Sequence, residues 1–300
     1  MLERFEAFHR DAHGDRWPAL RAALLQPERQ ILRLNAFAGD AAASRFASLK
    51  PCGEWGFWQS PEAPLAPERR GGDLLDVYIM DPASVAAATA LEARPGERIV
   101  DLCAAPGGKT LIVAEALRGR GELISNDASP DRRERLTKVL RQYVPRDVRE
   151  GHVFVAGKDG ARFGLLEPGA FDRVLLDAPC SGERHLLGNP SAMAEWSPRR
   201  SENLAVRQYS LLSAAWLAVK AGGRIVYSTC SISPRENDAV VARLLKKKKA
   251  GVKVRRPDTG AIWPEEIRAL AEETEHGWRF LPDRGGIGPI YLAVLEKALD

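Results

Sequence analysis

Two short stretches, DAPCSG (177–182) and STCSIS (228–233), each place a cysteine just past a strand-like apolar run: Cys180 after DRVLLD and Cys230 after GRIVYST. A thiolate is a nucleophile and a metal ligand. The only other cysteines are Cys52 and Cys103. None of the four forms a CxxC pair, and a chain of 300 residues with 45% hydrophobic content needs no disulfide staple. Reduced thiols are therefore expected. Cys52 and Cys103 read as small buried residues. Cys180 and Cys230 read as chemistry, because Asp177, Ala178 and Pro179 before one and Ser228 and Thr229 before the other are far more specific than a lone thiol.

Elements that would position these thiols are legible from about residue 76 onward. RIVDLC, ELISND, HVFVAG, DRVLLD and GRIVYST read as strands, and segments starting near Lys109, Pro130, Ser197 and Pro234 read as helices between them. GVKVRR and PIYLAVLEK add two further strands, expected as an antiparallel pair at one edge. Such alternation predicts an α/β fold with a mostly parallel sheet covered on both faces. Ligands in such sheets sit at the carboxyl ends of the strands, which singles out 101–108, Asp127, Asp159, 177–180 and 229–231. Residues 1–75 are read as a small helical extension (Trp17, Leu20, Leu24 and Leu25 share a face) followed by a Pro/Gly/Trp-rich linker, and 76–300 as the main domain.

The loop DLCAAPGGKT (101–110) has small residues where a backbone approaches a ligand closely. A phosphate-binding P-loop would need glycine at position 103, which is Cys103, and no GxGxxG spacing is present. ATP and NAD are disfavoured. S-adenosylmethionine, which carries an amino acid, a ribose and an adenine but no phosphate, fits better. Asp127 after the second strand is placed for ribose hydroxyls, and Asp159 after the third for the adenine amino group.

DLCAAPGGKT, DAPCSG and STCSISPREN, in that order, resemble the motifs of the RsmB/Sun-type RNA cytosine-C5 methyltransferases, and DPASVAAATAL (81–91) resembles the segment preceding the first motif. The resemblance covers residues 76–240 and, more weakly, the last fifteen. QYVP (142–145) and GERHLL (182–187) resemble stretches of the mitochondrial rRNA branch. It implies a Rossmann-like class I methyltransferase with a mostly parallel seven-stranded sheet and a small helical N-terminal extension. It also implies S-adenosylmethionine as cofactor, held by Cys103, Ala104, Pro106, Gly107, Gly108, Lys109, Asp127, Arg132, Asp159, Gly160 and Asp177. Residues alone do not rank the two thiols, since DNA cytosine-C5 methyltransferases use the cysteine of the PC motif as nucleophile. By resemblance Cys230 is the nucleophile, Cys180 assists release, and Asp177 faces both cofactor and base.

A free thiol is only about 3% ionised at pH 7, so the setting of the nucleophile has to help. C5 of cytosine is unreachable in a stacked helix, so the target must be single-stranded or flipped out. RNA is the expected partner, with small-subunit rRNA favoured over tRNA by the branch resemblance, which also implies a protein partner for RNA specificity. The net charge is +4, and residues 246–256 (KKKKAGVKVRR) hold seven basic and no acidic side chains. That run is more often a solvated helix end. With Arg199, Arg200 and the arginines of 132–149 it adds to a basic surface suited to a phosphate backbone. No apolar run is long enough to span a bilayer. An N-terminus with acidic residues predicts a cytosolic location. A competing reading, an RNA-binding assembly factor that keeps the fold as a scaffold, is disfavoured by the intact cysteines and cofactor loop.

Overall fold

The computed structural model describes residues 1–70 and 73–299, so Gly71 and Gly72, at the end of the expected linker, and Asp300 lie outside it. Five strands form the expected parallel core: β6 (Arg98–Asp101), β7 (Glu122–Asn126), β8 (Val153–Ala156), β9 (Phe171–Asp177) and β10 (Val219–Thr229), in the spatial order β8-β7-β6-β9-β10. Ahead of them in the chain come β1 (Ile31–Leu34), β2 (Gly56–Trp58), β3 (Arg69–Arg70), β4 (Leu74–Leu75) and β5 (Val77–Met80).

Side chains along each core strand alternate between two apolar layers, the period-2 consequence of a pleated backbone. Ile99, Leu175 and Val226 face one layer, and Val100, Val174, Leu176, Ile225 and Tyr227 the other. Both faces are covered, which is why these strands read as continuous apolar runs. The first layer is closed by α3 (Pro82–Thr89), α4 (Gly108–Leu117) and α5 (Pro130–Tyr143). The second is closed by α10 (Pro198–Ala218) and α11 (Asp238–Lys248) through Leu211, Leu212, Ala215, Val240, Val241 and Leu244.

Beyond β10 the sheet turns antiparallel. Strand β14 (Ile290–Lys297) pairs with β10 from Arg224↔Glu296 to Thr229↔Tyr291. Its outer edge is shared end to end by β13 (Trp278–Phe280) and β11 (Val252–Arg255), while β12 (Glu272–Glu273) pairs with β13. The expected antiparallel pair is therefore β11 with β14. Among the described residues this sheet holds nine strands where seven were expected, because β12 and β13, two and three residues long, are too short to carry a periodic signal.

The N-terminal region is helical only at first. Helices α1 (Leu2–His13) and α2 (Trp17–Leu24) bury Phe5, Trp17, Leu20 and Leu24 against Leu186, Met193, Trp196, Ile232 and Leu281. After them comes a three-stranded antiparallel sheet, β2-β1-β5, of which β1 and β2 lie in the residues expected to be helical extension and linker and β5 at the start of the expected main domain. It packs Ile31, Trp55, Trp58 and Met80 onto the α3/α4 layer. No helix among the described residues is long and apolar enough to cross a membrane.

Within the α1 cluster, His9 is 1% exposed, stacks on Trp17 at 5.1 Å and leaves both ring nitrogens without a partner. Burial, aided by the neighbouring His13, pushes it down to about 3. A base with a depressed folded value contributes its full stability above its unfolded value of 6.5 and loses it as pH falls toward 3. One proton changes stability by about 1.4 kcal/mol per pH unit in that window. His9→Phe is expected to flatten the acid limb of thermal unfolding between pH 6.5 and 4, measured by circular dichroism.

Candidate functional site

Strand β6 delivers Asp101 to the carboxyl edge, 1% exposed, where its Oδ2 accepts a 2.8 Å hydrogen bond from Thr110 Oγ1 on α4. Burial, with the Asp177 charge adding, pushes Asp101 up to about 7. It therefore pins strand to helix across the loop. Between them Gly107 has φ +122°, and a Cβ there would stand 3.0 Å from Val139 Cγ1; at Gly108 a Cβ would stand 2.8 Å from the Tyr78 ring. Ala104, Gly107, Gly108 and Lys109 wall a cavity of about 180 Å³ with Tyr78, Asp101 and Asp177.

A larger cavity of about 520 Å³ adjoins it and runs from Asp127 and Arg132, past Pro106, Gly160 and Asp177, to Cys180 and Cys230. Asp127 is 6% exposed; its Oδ2 accepts from Arg132 Nε at 3.0 Å and Ala105 N at 3.4 Å, and its Oδ1 from Ser129 N at 3.0 Å. Arg132 Nη2 donates 2.6 Å to Ala105 O, so one guanidinium ties the first loop to the second strand end. Asp159 departs from the expected arrangement. It caps a turn through Ala161 N at 3.1 Å and pairs with Arg207 of α10, which holds its carboxyl below the ordinary range. Gly160 and Arg207 line the cavity in its place.

The cofactor loop is surrounded by carboxylates. Cys103 is pushed well up by burial and then by Asp101, Asp177 and Asp127, three carboxylates around one loop. With Arg132 beside Asp127 and Lys109 beside Asp177 they offer both acceptors and donors to the ribose hydroxyls, ammonium and carboxylate of S-adenosylmethionine, so the residues present fit that cofactor. Burial and the same carboxylates leave Cys103 an un-ionised thiol.

The parallel register Ser228↔Asp177 brings the ends of β9 and β10 level, so the loops beyond them meet. Cys180 Sγ lies 2.7 Å from Cys230 Sγ and accepts from Cys230 N at 3.2 Å. Cys230 is exposed and Cys180 half-buried. Asp177 stands beneath them, its Oδ1 accepting from Ser228 Oγ and its Oδ2 from Lys109 Nζ, both at 2.8 Å. Burial disfavours the Lys109 charge, yet Asp177 first, then Cys230 and Asp81, outweigh it and raise the ammonium's pKa. Cys180 is raised well above the ordinary thiol range by the Cys230 contact and by burial, with Glu183 and Glu236 adding. Carboxylates thus lie beside Cys180, the less exposed of the two thiols.

Glu183 and Glu236, buried under the cysteine loops, went unnoticed in the sequence, as did Arg207 and Asp81. Asp81 caps α3 through Ala83 N and Ser84 N and accepts from Gly288 N at 3.1 Å. His185 is exposed on a short helix (Glu183–Gly188). The basic run does not join the cleft. Lys248 lies 3.7 Å over the Trp216 ring near the end of α10, and Arg255 pairs with Glu296 at 3.0 Å. Helix α10 leads directly into the start of β10, so Lys248 marks the sheet edge opposite the cysteines.

Residues 88–296 match the family model described as 16S rRNA methyltransferase RsmB/F. The chain is 37% identical over 278 residues to the 5-cytosine rRNA methyltransferase NSUN4 of Bos taurus, covering 80% of this chain and 72% of that protein. It is 27% identical over 320 residues to the mitochondrial tRNA (cytosine(34)-C(5))-methyltransferase of Mus musculus, covering 100% and 90%. Among solved structures, a methyltransferase homologue from Pyrococcus horikoshii superposes with a TM-score of 0.73 at 25% identity, covering 95% of this chain and 91% of that one. The expected cytosolic location is overturned by the mouse tRNA enzyme, which carries the mitochondrial compartment in its name. The acidic N-terminus misled because it is part of a packed helix, with Phe5 and His9 buried, and its charge reports on folding.

Proposed function

The chain belongs to the 16S rRNA methyltransferase RsmB/F family and is an S-adenosylmethionine-dependent RNA cytosine-C5 methyltransferase, and from that premise we propose that it acts on small-subunit rRNA through a covalent bond between Cys230 and C6 of the target cytosine. The observation that carries the reading is the placement of the two thiols: both line the cavity, 2.7 Å apart, with Cys230 exposed and Cys180 half-buried. The Cys230 contact and burial, with Glu183 and Glu236 adding, push the Cys180 thiol up, which suits it to the helper's role.

Cys230 thiolate adds to C6, and the electron pair of the C5–C6 bond makes C5 enamine-like. When bound, S-adenosylmethionine supplies an electrophilic methyl group on sulfonium. Lys109 and Asp177, 2.8 Å apart, present a donor beside an acceptor. That pair complements the N3 acceptor and N4 amino group of cytosine and holds the ring against the thiol. C5 takes that methyl group, a water accepts the C5 proton as the C5–C6 double bond re-forms, and Cys230 leaves as thiolate, stabilised by a hydrogen bond from the Cys180 thiol in contact with its sulfur. Pro106, Gly107 and Gly108 with Asp127 and Arg132 hold the cofactor.

Ribosomal RNA is favoured by the description of the family and by the bovine relative's name. Transfer of labelled methyl groups to small-subunit rRNA and to a tRNA pool tests it: the reading requires incorporation into rRNA, and incorporation into tRNA alone contradicts it. Asp127→Ala removes a carboxylate with three hydrogen bonds from the cofactor end. It is expected to weaken S-adenosylmethionine binding by about 10- to 100-fold, the worth of a charged hydrogen bond, measured by calorimetry.

A further inference from the structure

Beneath the cysteines the two loops are tied by carboxylates that reach across in opposite senses. Glu183 follows Cys180 in the chain, and its carboxylate grips the Cys230 loop: Oε1 accepts from Ser231 Oγ at 2.9 Å and Oε2 from Ile232 N at 3.1 Å. Glu236 follows Cys230 and grips the Cys180 loop: Oε2 accepts from Ser181 N at 3.0 Å and from Gln208 Nε2 at 2.9 Å, and Gln208 also donates 2.9 Å to Pro179 O. Ser181 Oγ donates 2.5 Å to Glu183 Oε1 and stands 3.0 Å from Ser231 Oγ, while Ser201 Oγ donates 2.6 Å to Glu236 Oε1. Glu183 and Glu236 are 1% and 0% exposed.

Two carboxylates taken fully out of water are costly, and hydrophobic packing would hold two loops together at less expense. Their retention calls for a role that packing does not supply. All but the Ser201 bond end on a residue within two positions of a cysteine or on Gln208, which is fastened to Pro179. The network therefore sets the distance and angle between the sulfurs.

We propose that Glu183 and Glu236 are positioning residues for methyl transfer, forming a reciprocal brace that presents Cys180 to the sulfur of Cys230 when the methylated base is released. This rests on the roles given above to the two cysteines. Burial and the charge of Glu236 push Glu183 up to about 7, so the brace holds a proton near neutrality, and the field of both groups acts on Cys180. Glu183→Gln keeps the shape and one acceptor, changes the charge, and disturbs Cys180 before it disturbs cofactor or RNA binding.

Release is read as the amount of covalent enzyme–RNA adduct on a denaturing gel beside kcat and KM, using the full chain, S-adenosylmethionine and the methylated RNA substrate's unmodified transcript. Glu183→Gln is expected to lower kcat about tenfold or more with KM for RNA within about twofold, and to accumulate adduct. In a Cys180→Ala background the same substitution is expected to change adduct level and turnover by less than about twofold, because its effect passes through Cys180. Glu236→Gln, which acts from the other loop, is expected to repeat the pattern. An additive loss in the Cys180→Ala background, or a loss of activity without adduct, overturns the brace. Failure of the wild-type chain to form product or of Cys180→Ala to trap adduct overturns the covalent reading itself, and the two failures are thus distinct. Unchanged S-adenosylmethionine affinity in each variant separates the result from misfolding.

Discussion

Cys230→Ala lowers methyl transfer by at least about 10³-fold while S-adenosylmethionine affinity stays within about twofold, because covalent activation of C5 is lost and the cofactor wall is not. The separation follows from position. Cys230 stands at the far end of the cavity from Asp127 and Arg132, on a loop beyond β10, and no hydrogen bond joins it to the DLCAAPGGKT loop among the described residues. Serine at 230 is expected to be equally inactive, since an alkoxide is far harder to form at neutral pH than a thiolate. Single-turnover assays and calorimetry on the same preparations check both halves.

Cys180→Ala behaves differently. Addition to C6 and methylation proceed, because Cys230 and Lys109 are untouched, and the block falls on departure of Cys230. Turnover falls by about 10²-fold or more, the scale of a lost proton-transfer partner, while enzyme accumulates as a slow-migrating RNA adduct stable to denaturant. The asymmetry between the two alanine variants, one silent and one trapped, is the signature that distinguishes nucleophile from helper.

Much of this was legible from residues because catalytic positions in a parallel sheet sit where apolar runs stop. Asp101 and Asp177 close β6 and β9, and Asp127 and Cys230 come directly after the ends of β7 and β10, so the structure lines them along one edge. What stayed hidden depends on tertiary partners. Asp159 looks equivalent to Asp127 in the sequence, yet Arg207, from a helix far along the chain, claims it. Glu183 and Glu236 look like surface acids of GERH and PREN until Ser231, Ser201 and Gln208 close around them. β1 and β2 are four and three residues long, too brief to outweigh the prolines and glycines nearby. The lysine run is conspicuous as composition, but α11 carries it away from the thiols.

The most direct test uses RNA bearing 5-fluorocytosine at the target position, where fluorine replaces the proton that must leave C5 and so arrests the reaction after methylation. Proteolysis of the trapped complex and mass spectrometry of the nucleotide-bearing peptide then report which sulfur is bonded to C6. The account predicts the nucleotide on the peptide that contains Cys230, with Cys180 recovered as free thiol. A nucleotide on Cys180, or no trapped complex from RNA that the enzyme methylates when unfluorinated, would contradict it.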